Sequence, residues 1–398
     1  MYCICGDELI SRRSLPPFSD LVCNFLDAYS IELRNDASAK QYPDVMSFAF
    51  WARKGNIRKK KIAYEELSGK VKRLGRGVVF HISPSNVPVN CMFTYAFGLL
   101  AGNSNIVRIP SKEFPQIECM LNVLRRLIEK DSFSVIKKMT AFVRYDRDDI
   151  LCTERYSSLC DVRVIWGGDD TIKAIRKVDI PARSIEVTFA DRYSFAIVDS
   201  QYVIAMTDKE IIDTAKAFYN DTYLMDQNAC STPHLICFKN SADVNIAKEK
   251  FWRAVANIAM RYNPEDIKVS DKYVSLCEKI MKIDDQNSLD IESVKRIGNY
   301  LYVCELSKLP LNTVRECRGK YGLFFEYTFD TFDELEVLSD TCVQTCIVCG
   351  IDKETVRDYI ISHGMSGVDR VVGFGQALDI DTVWDGYDLM DIMTRIIA

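Results

Sequence analysis

The chain has 398 residues, 48% of them hydrophobic, enough for two or three domains around a sizeable core. A formal net charge of −5 gives no electrostatic reason to expect nucleic acid or an anionic membrane as the main partner. No apolar run reaches the ~18 residues of a bilayer span, and fifteen cysteines without a basic-then-apolar leader read as reduced thiols of a cytoplasmic protein.

Residues 1–70 read mainly as a helical N-terminal segment with a basic loop at Lys54–Lys61 (KGNIRKKK), in which the run Arg58–Lys61 reads as a solvated face. From Gly77 the character changes. Gly77–Ser83 (GVVFHIS) is an apolar run suited to a buried parallel strand. Pro84–Pro88 turns the chain, and Val89–Ala101 follows as a buried helix. Asn105–Pro110 is a second strand, Glu118–Lys130 a helix, and Val162–Trp166 a strand closed by Gly167-Gly168 before a helix at Asp169–Val178. Strands alternating with helices predict a doubly wound parallel sheet over residues 71–200. A second α/β segment spans 201–365. It contains a helix at Asp243–Arg261 and strands at His234–Phe238, Leu301–Glu305 and Cys346–Ile351. Residues 366–398 form a C-terminal segment, and the domain boundary is placed near Ser200.

Four constellations could carry chemistry. Asp226–His234 (DQNACSTPH) holds Cys230 in a polar, turn-rich setting suited to a thiolate nucleophile, although a cysteine is more often a small buried hydrophobe. Ser83–Asn90 (SPSNVPVN) puts Asn86 between a strand end and a helix, where its amide can donate to an oxyanion or merely cap a turn. Gly167-Gly168 can let a phosphate approach backbone amides, but there is no GxGxxG fingerprint. Cys342–Cys349 (CVQTCIVC) has a C-x3-C-x2-C spacing that can bind an iron–sulfur cluster. In an extended run Cys342 and Cys346 share one face and Cys349 takes the other, which favours packing. His81, His234 and His363 show no metal-ligand spacing, and no metal is expected.

Taken in order, HISPSNVPVN, FGLLAGNSNIVRIPSK, WGGDDTIKAIR, DQNACSTPH and GVDRVVGFGQALDIDTVWDGYDL resemble the acyl-CoA reductase family typified by LuxC. That family looks like a branch of the aldehyde dehydrogenase superfamily. The resemblance runs from about Tyr42 to the C-terminus. It implies an aldehyde dehydrogenase-like α/β fold, with a Rossmann-type cofactor domain and a second α/β catalytic domain.

By position, the resemblance implies further roles. Cys230 is the nucleophile and Asn86 helps bind the oxyanion. Ser83, Pro84, Arg108, Ser111, Lys112, Gly167 and Gly168 lie along the cofactor, implied to be NADPH. Asn228 stands where aldehyde dehydrogenases have glutamine. Thr188 aligns with the glutamate that activates water in hydrolytic members, and a register shift of two would put Glu186 there instead. The implied activity is reduction of an acyl-CoA or another acyl thioester to an aldehyde, by a homo-oligomer that can take its acyl group from an acyl-protein synthetase. Acyl-phosphate reduction and hydrolytic aldehyde oxidation are the alternatives. Arg370 and Trp384-Asp385-Gly386 belong to the resemblance without a physical role.

Overall fold

A computed structural model describes residues 3–69, 71–84, 86–281, 289–310 and 314–398. The chain divides into two compact units: Met1–Ala190 with Asp381–Ala398, and Asp191–Ile380.

The first unit contains β1 (Cys3–Gly6), β2 (Arg73–Gly75), β3 (Val78–Ile82), β4 (Ser104–Arg108), β5 (Thr140–Val143), β6 (Val162–Trp166) and β7 (Ile185–Phe189). Its main sheet has the order β1-β5-β4-β3-β6-β7, parallel except for β1 at the edge. Every residue of β3, β4, β5 and β6 is buried, as expected of strands covered on both faces. The order reverses at β3, so the carboxyl ends of β3 and β6 flank a topological switch point, where open α/β sheets place ligands.

The helix Asn90–Leu100 is buried along most of its length, as its apolar sequence predicts. Gly98 is required where it packs: a Cβ there would lie 1.7 Å from Asn105 Oδ1. Asn105 in turn holds His81 Nε2 at 2.9 Å, while Thr94 Oγ1 holds His81 Nδ1 at 2.7 Å. Burial lowers the His81 pKa to about 4. His81 is therefore a satisfied core histidine.

The second unit contains β8 (Tyr193–Asp199), β9 (Pro233–Lys239), β10 (Ile291–Ile297), β11 (Leu301–Leu306), β12 (Leu323–Phe329), β13 (Val343–Cys349) and β14 (Arg370–Gly373), in the order β10-β11-β12-β9-β8-β13-β14. Only β10 runs antiparallel to its neighbour. Cys342 and Cys346 pack in one apolar layer and Cys349 in the layer across the sheet, so the three thiols do not converge.

The final residues return to the first unit. β15 (Val383–Trp384) and β16 (Tyr387–Asp388) form a hairpin, and β17 (Thr394–Ile396) pairs with β2. Asp385 and Gly386 have φ of +56° and +78°. That is the two-residue turn whose twist suits a hairpin, and it explains Trp384-Asp385-Gly386.

Three sequence expectations change. The basic stretch Lys54–Lys61 lies in a helix, Lys54–Ser68, not a loop; Lys and Arg are good helix formers. The unit division falls between Ala190 and Asp191 rather than at 200, because β8 pairs with β9 and β13. Residues 366–398 are not one segment. β14 extends the second sheet, whereas Met393 O accepts from Asn103 Nδ2 and Ile392 O from Arg76 Nε in the first unit. Residues 1–70 likewise belong to that first unit. No helix of the described residues is long and apolar enough to cross a membrane.

Candidate active site

In the second unit the helix Asp208–Thr222, started by a Thr207–Glu210 capping box, leads into the loop that carries Cys230. Asp226 and Gln227 are consecutive left-handed residues, with φ of +53° and +60°. Each costs a non-glycine residue roughly 1–2 kcal/mol, and such strain persists only where surroundings enforce it. Here they do. Asp226 accepts from Tyr262 Oη at 2.6 Å and Lys268 Nζ at 3.0 Å. The buried Gln227 amide accepts from Gly322 N at 2.5 Å and donates to Leu323 O at 3.1 Å. The loop then turns through Asn228, whose N–H donates to Met225 O, and Thr232, whose N–H donates to Ala229 O, into β9.

Cys230 sits at the crest of this turn and is partly exposed. None of the fifteen cysteines is in a disulfide; Cys3, Cys23, Cys230 and Cys277 are partly exposed and the other eleven are buried. Burial raises the thiol pKa of Cys3 and Cys23. Ser194, wholly buried on β8, donates through Oγ to Cys230 O at 2.7 Å and accepts from Thr345 N at 3.2 Å. β8 thus holds the main chain of Cys230 directly. His234, four residues on, is buried and stacks on Tyr193 with centroids 5.5 Å apart. Burial, then the nearby Arg318 and Lys279 cations, lower its pKa to about 3. It is neutral near pH 7 and offers no imidazolium to a thiolate.

In the first unit the carboxyl ends of β3 and β4 gather Ser83, Pro84, Arg108 and Ser111. Ile82 and Arg108 are register partners. Ser83 N donates to Arg108 O at 3.1 Å. Arg108 is 9% exposed, with its guanidinium 4.8 Å from the Tyr145 ring centroid, and Ser111 Oγ donates to Tyr145 O at 3.1 Å. Ser83 Oγ and Arg108 Nε are buried without a hydrogen-bond partner. Two orphaned polar atoms at a strand-end crevice fit a polar ligand such as a nucleotide ribose. Lys112 is exposed, its ammonium over Phe114. Asn86 is exposed in the bend before the helix Asn90–Leu100, and Ser85 lies outside the described residues.

Gly167 and Gly168 follow β6, and open space surrounds a Cβ built on Gly168. However, Asp169 and Asp170 occupy the next helical turn and oppose a pyrophosphate. Cofactor fit is therefore better at Ser83 and Arg108 than at the glycine pair.

Glu186 faces Arg163 across β6–β7. It accepts from Arg163 Nε at 2.7 Å and Arg176 Nε at 2.8 Å. Arg163 is 3% exposed and also bonds Ser157 and Val178 O. A carboxylate held by two guanidiniums has a structural duty. Removing its charge strands a buried cation, so Glu186→Gln should cost about 3 kcal/mol in chemical denaturation. Unchanged stability would overturn this structural reading of Glu186. Thr188, two residues on, is half-buried and has no basic group.

Asp333, Glu336 and His363 bring ligand atoms within 4.8 Å of one another on the surface of the second unit. Tyr359 Oη lies within donating distance of Asp333 Oδ1, at 2.9 Å, and of Glu336 Oε1, at 3.2 Å. Sequence spacing did not reveal this grouping. Sequence reading also missed Ser194, Gln227 and Asp221, because their partners are remote in the chain.

The sequence model of the family described as Acyl-CoA reductase (LuxC) matches residues 59–292. A long-chain acyl-protein thioester reductase 2 of Photobacterium leiognathi is 25% identical over 176 residues, 44% of this chain and 34% of that protein. A long-chain acyl-protein thioester reductase of Aliivibrio fischeri is 25% identical over 161 residues, 40% and 31%. The matched part thus spans about a third of the length of each relative. The structure resembles aldehyde dehydrogenase 21 of Physcomitrella patens, with TM-score 0.64, 12% identity and coverage of 95% of this chain and 85% of that one. It also resembles an NAD-dependent benzaldehyde dehydrogenase of Corynebacterium glutamicum, with TM-score 0.60, 14% identity and coverage of 96% and 84%. At those identities the likeness is one of fold, an aldehyde dehydrogenase-type α/β architecture. The family match extends over more than half of the sequence, and the chain belongs to the LuxC acyl-CoA reductase family.

Proposed function

We propose that this protein is an NADPH-dependent reductase that converts an acyl thioester to an aldehyde through an acyl group carried on Cys230. The observation that carries the reading is the construction around Cys230. A partly exposed thiol crests a strained loop, and buried Gln227 and Ser194 fix that loop from two sides.

In this reading the Cys230 thiolate attacks the acyl carbonyl. The Asn86 amide donates to the oxygen as it gains charge. The carbon–sulfur bond to the donor thiol breaks, and the donor leaves as its thiolate, giving an acyl-enzyme. NADPH held by Ser83 and Arg108 would supply the hydride for reduction to the aldehyde level. The Cys230 thiolate is then the leaving group. Thr188, which cannot take a proton from water near pH 7, leaves the acyl-enzyme to reduction rather than hydrolysis. The engagement of Glu186 by Arg163 and Arg176 supports the same outcome. The acyl donor is acyl-CoA or a protein-bound acyl thioester, the latter in keeping with the names of the two bacterial relatives, and a partner synthetase would load that protein. We extend the reading to a cytoplasmic homo-oligomer.

An acyl-CoA panel assayed by NADPH oxidation with aldehyde detection tests the proposal, with acyl phosphates as the second arm. Aldehyde from acyl-CoA is expected. Turnover of acyl phosphate alone, or thiol-independent oxidation of aldehyde to acid, would overturn it.

Cofactor choice has its own test. A basic residue at the end of the second strand of such a sheet accommodates a 2′-phosphate, where an acidic one favours NAD. Arg108 holds that place, with Nε unpartnered. Charge-assisted hydrogen bonds contribute about 1.5–3 kcal/mol, so Arg108→Ala should lower kcat/KM for NADPH by roughly 10- to 100-fold and for NADH little. Equal losses with both cofactors would remove Arg108 from the 2′-phosphate.

A further inference from the structure

The family-like segment GVDRVVGFGQALDI ends the second unit without any group placed at the chemistry by the resemblance. Its turn, Gly373–Asp379, is nevertheless tied down with unusual completeness. Asp221, 1% exposed, accepts from Gly375 N at 2.6 Å and from Ala377 N at 3.0 Å, one donor to each carboxylate oxygen. Arg370 takes the carbonyl side, donating to Ala377 O at 3.1 Å and Asp379 O at 3.0 Å. Gly375 has φ of +82°, and a Cβ there would lie 3.2 Å from Ala217 Cβ, so the turn lies against the helix Asp208–Thr222.

The same end of that helix suspends the nucleophile loop. Asp221 O accepts from Thr232 Oγ1 at 2.8 Å. Thr222 O accepts from Gln227 N at 2.9 Å. Gln227 and Thr232 bracket Cys230 in sequence. The side chain of Asp221 therefore holds the C-terminal turn while its main chain, with that of its neighbour, holds both shoulders of the loop. A carboxylate suits this place because two N–H groups point at it; an asparagine would turn an NH2 toward one of them. Burial pushes the Asp221 carboxyl up to about 7, and the two N–H donors pull it the other way.

We infer that Asp221 is a positioning residue for Cys230, locking the nucleophile loop to the Gly373–Asp379 turn. The inference rests on the reading of Cys230 as nucleophile. It gives the C-terminal family segment a role in the reaction: the turn braces the helix end from which Cys230 is presented, and Arg370 keeps the turn in shape.

Hydrogen exchange and single-turnover acylation on the full chain test it. In Asp221→Asn, amides of residues 374–378 and of residues 227–232 should lose protection together, each by about tenfold, the weight of one buried hydrogen bond. Amides of the helix Val244–Ala259 should keep theirs. Acylation of Cys230 by tetradecanoyl-CoA should slow by about tenfold on the same scale, with the tetradecanoyl-CoA dissociation constant essentially unchanged. A merely structural role would not produce that split. Thr232→Val, which cuts one suspension bond without touching the carboxylate, should slow acylation while sparing residues 374–378. Gly375→Ala, which strains the turn at φ +82° and leaves Asp221 in place, should lower protection at residues 227–232 as well as in the turn and slow acylation, and it decides the matter if Asp221→Asn does not fold. Protection lost only at residues 374–378, or wild-type acylation in the turn-side variant, overturns the inference. A wild type that takes no acyl group at Cys230 refutes the functional reading instead, and the exchange pattern still decides whether loop and turn are coupled.

Discussion

Cys230→Ala incubated with radiolabelled acyl-CoA should retain no label after denaturation, and NADPH-dependent aldehyde formation should fall to background. The thioester bond to the enzyme can form only through a thiol, so the loss is of the whole covalent route rather than a fraction of it. Fourteen other cysteines remain in the variant, but eleven of the fifteen are buried. Burial in apolar surroundings makes such thiols inert; it drives Cys5, Cys91 and Cys160 up to about 12. Cys3, Cys23 and Cys277 are the partly exposed competitors, and peptide mapping of the labelled wild type separates them from Cys230. The Ser194 bond goes to the Cys230 carbonyl and survives the substitution. Undiminished labelling of Cys230→Ala would show that the acyl group travels elsewhere.

Asn86→Ala should lower single-turnover acylation by roughly 10²–10³, the usual cost of one oxyanion donor. Asn86 is exposed in an irregular bend, so the substitution removes no core packing, and stability should change by less than ~0.5 kcal/mol. A donor that acts only on the developing charge lowers kcat and kcat/KM together. Asn86→Asp separates donor from shape: it keeps the volume, replaces the N–H donor by a negative charge, and should be at least as slow. An acylation rate in Asn86→Ala equal to that of the wild type would take the residue out of the chemistry and leave it a turn former.

The parallel layers were legible because their strands are continuous apolar runs. Val78–Ile82 and Val162–Trp166, with the intervening Asn90–Leu100 helix, fell where hydrophobicity alone places them. The strands Ile185–Phe189 and Leu323–Phe329 were harder. Each carries a glutamate that breaks the apolar pattern and is satisfied from afar: Glu186 by Arg163, 23 residues away, and Glu326 by Trp252, 74 residues away. Cys230 stood out only when several ordered segments were taken together, since nothing in DQNACSTPH distinguishes it from a packing cysteine. Its supports were beyond reach for a physical reason. Ser194, Gln227 and Asp221 act through bonds spanning 36, 95 and 154 residues, and the left-handed backbone of Asp226 and Gln227 is imposed by those bonds rather than by local preference.

The return of residues 381–398 to the first unit makes that unit discontinuous along the chain, while residues 191–380 form an uninterrupted stretch. During synthesis, therefore, the later-made unit is the first whose sequence is complete. The earlier one has its strand β2 unpaired until β17 is made and Asn103 without the carbonyl of Met393 until the last residues emerge. Closure of domains in the order they leave the ribosome would therefore reach the second unit before the first. A chain stopped just before residue 381 would carry the whole second unit and a first unit without β17 and the Met393 carbonyl.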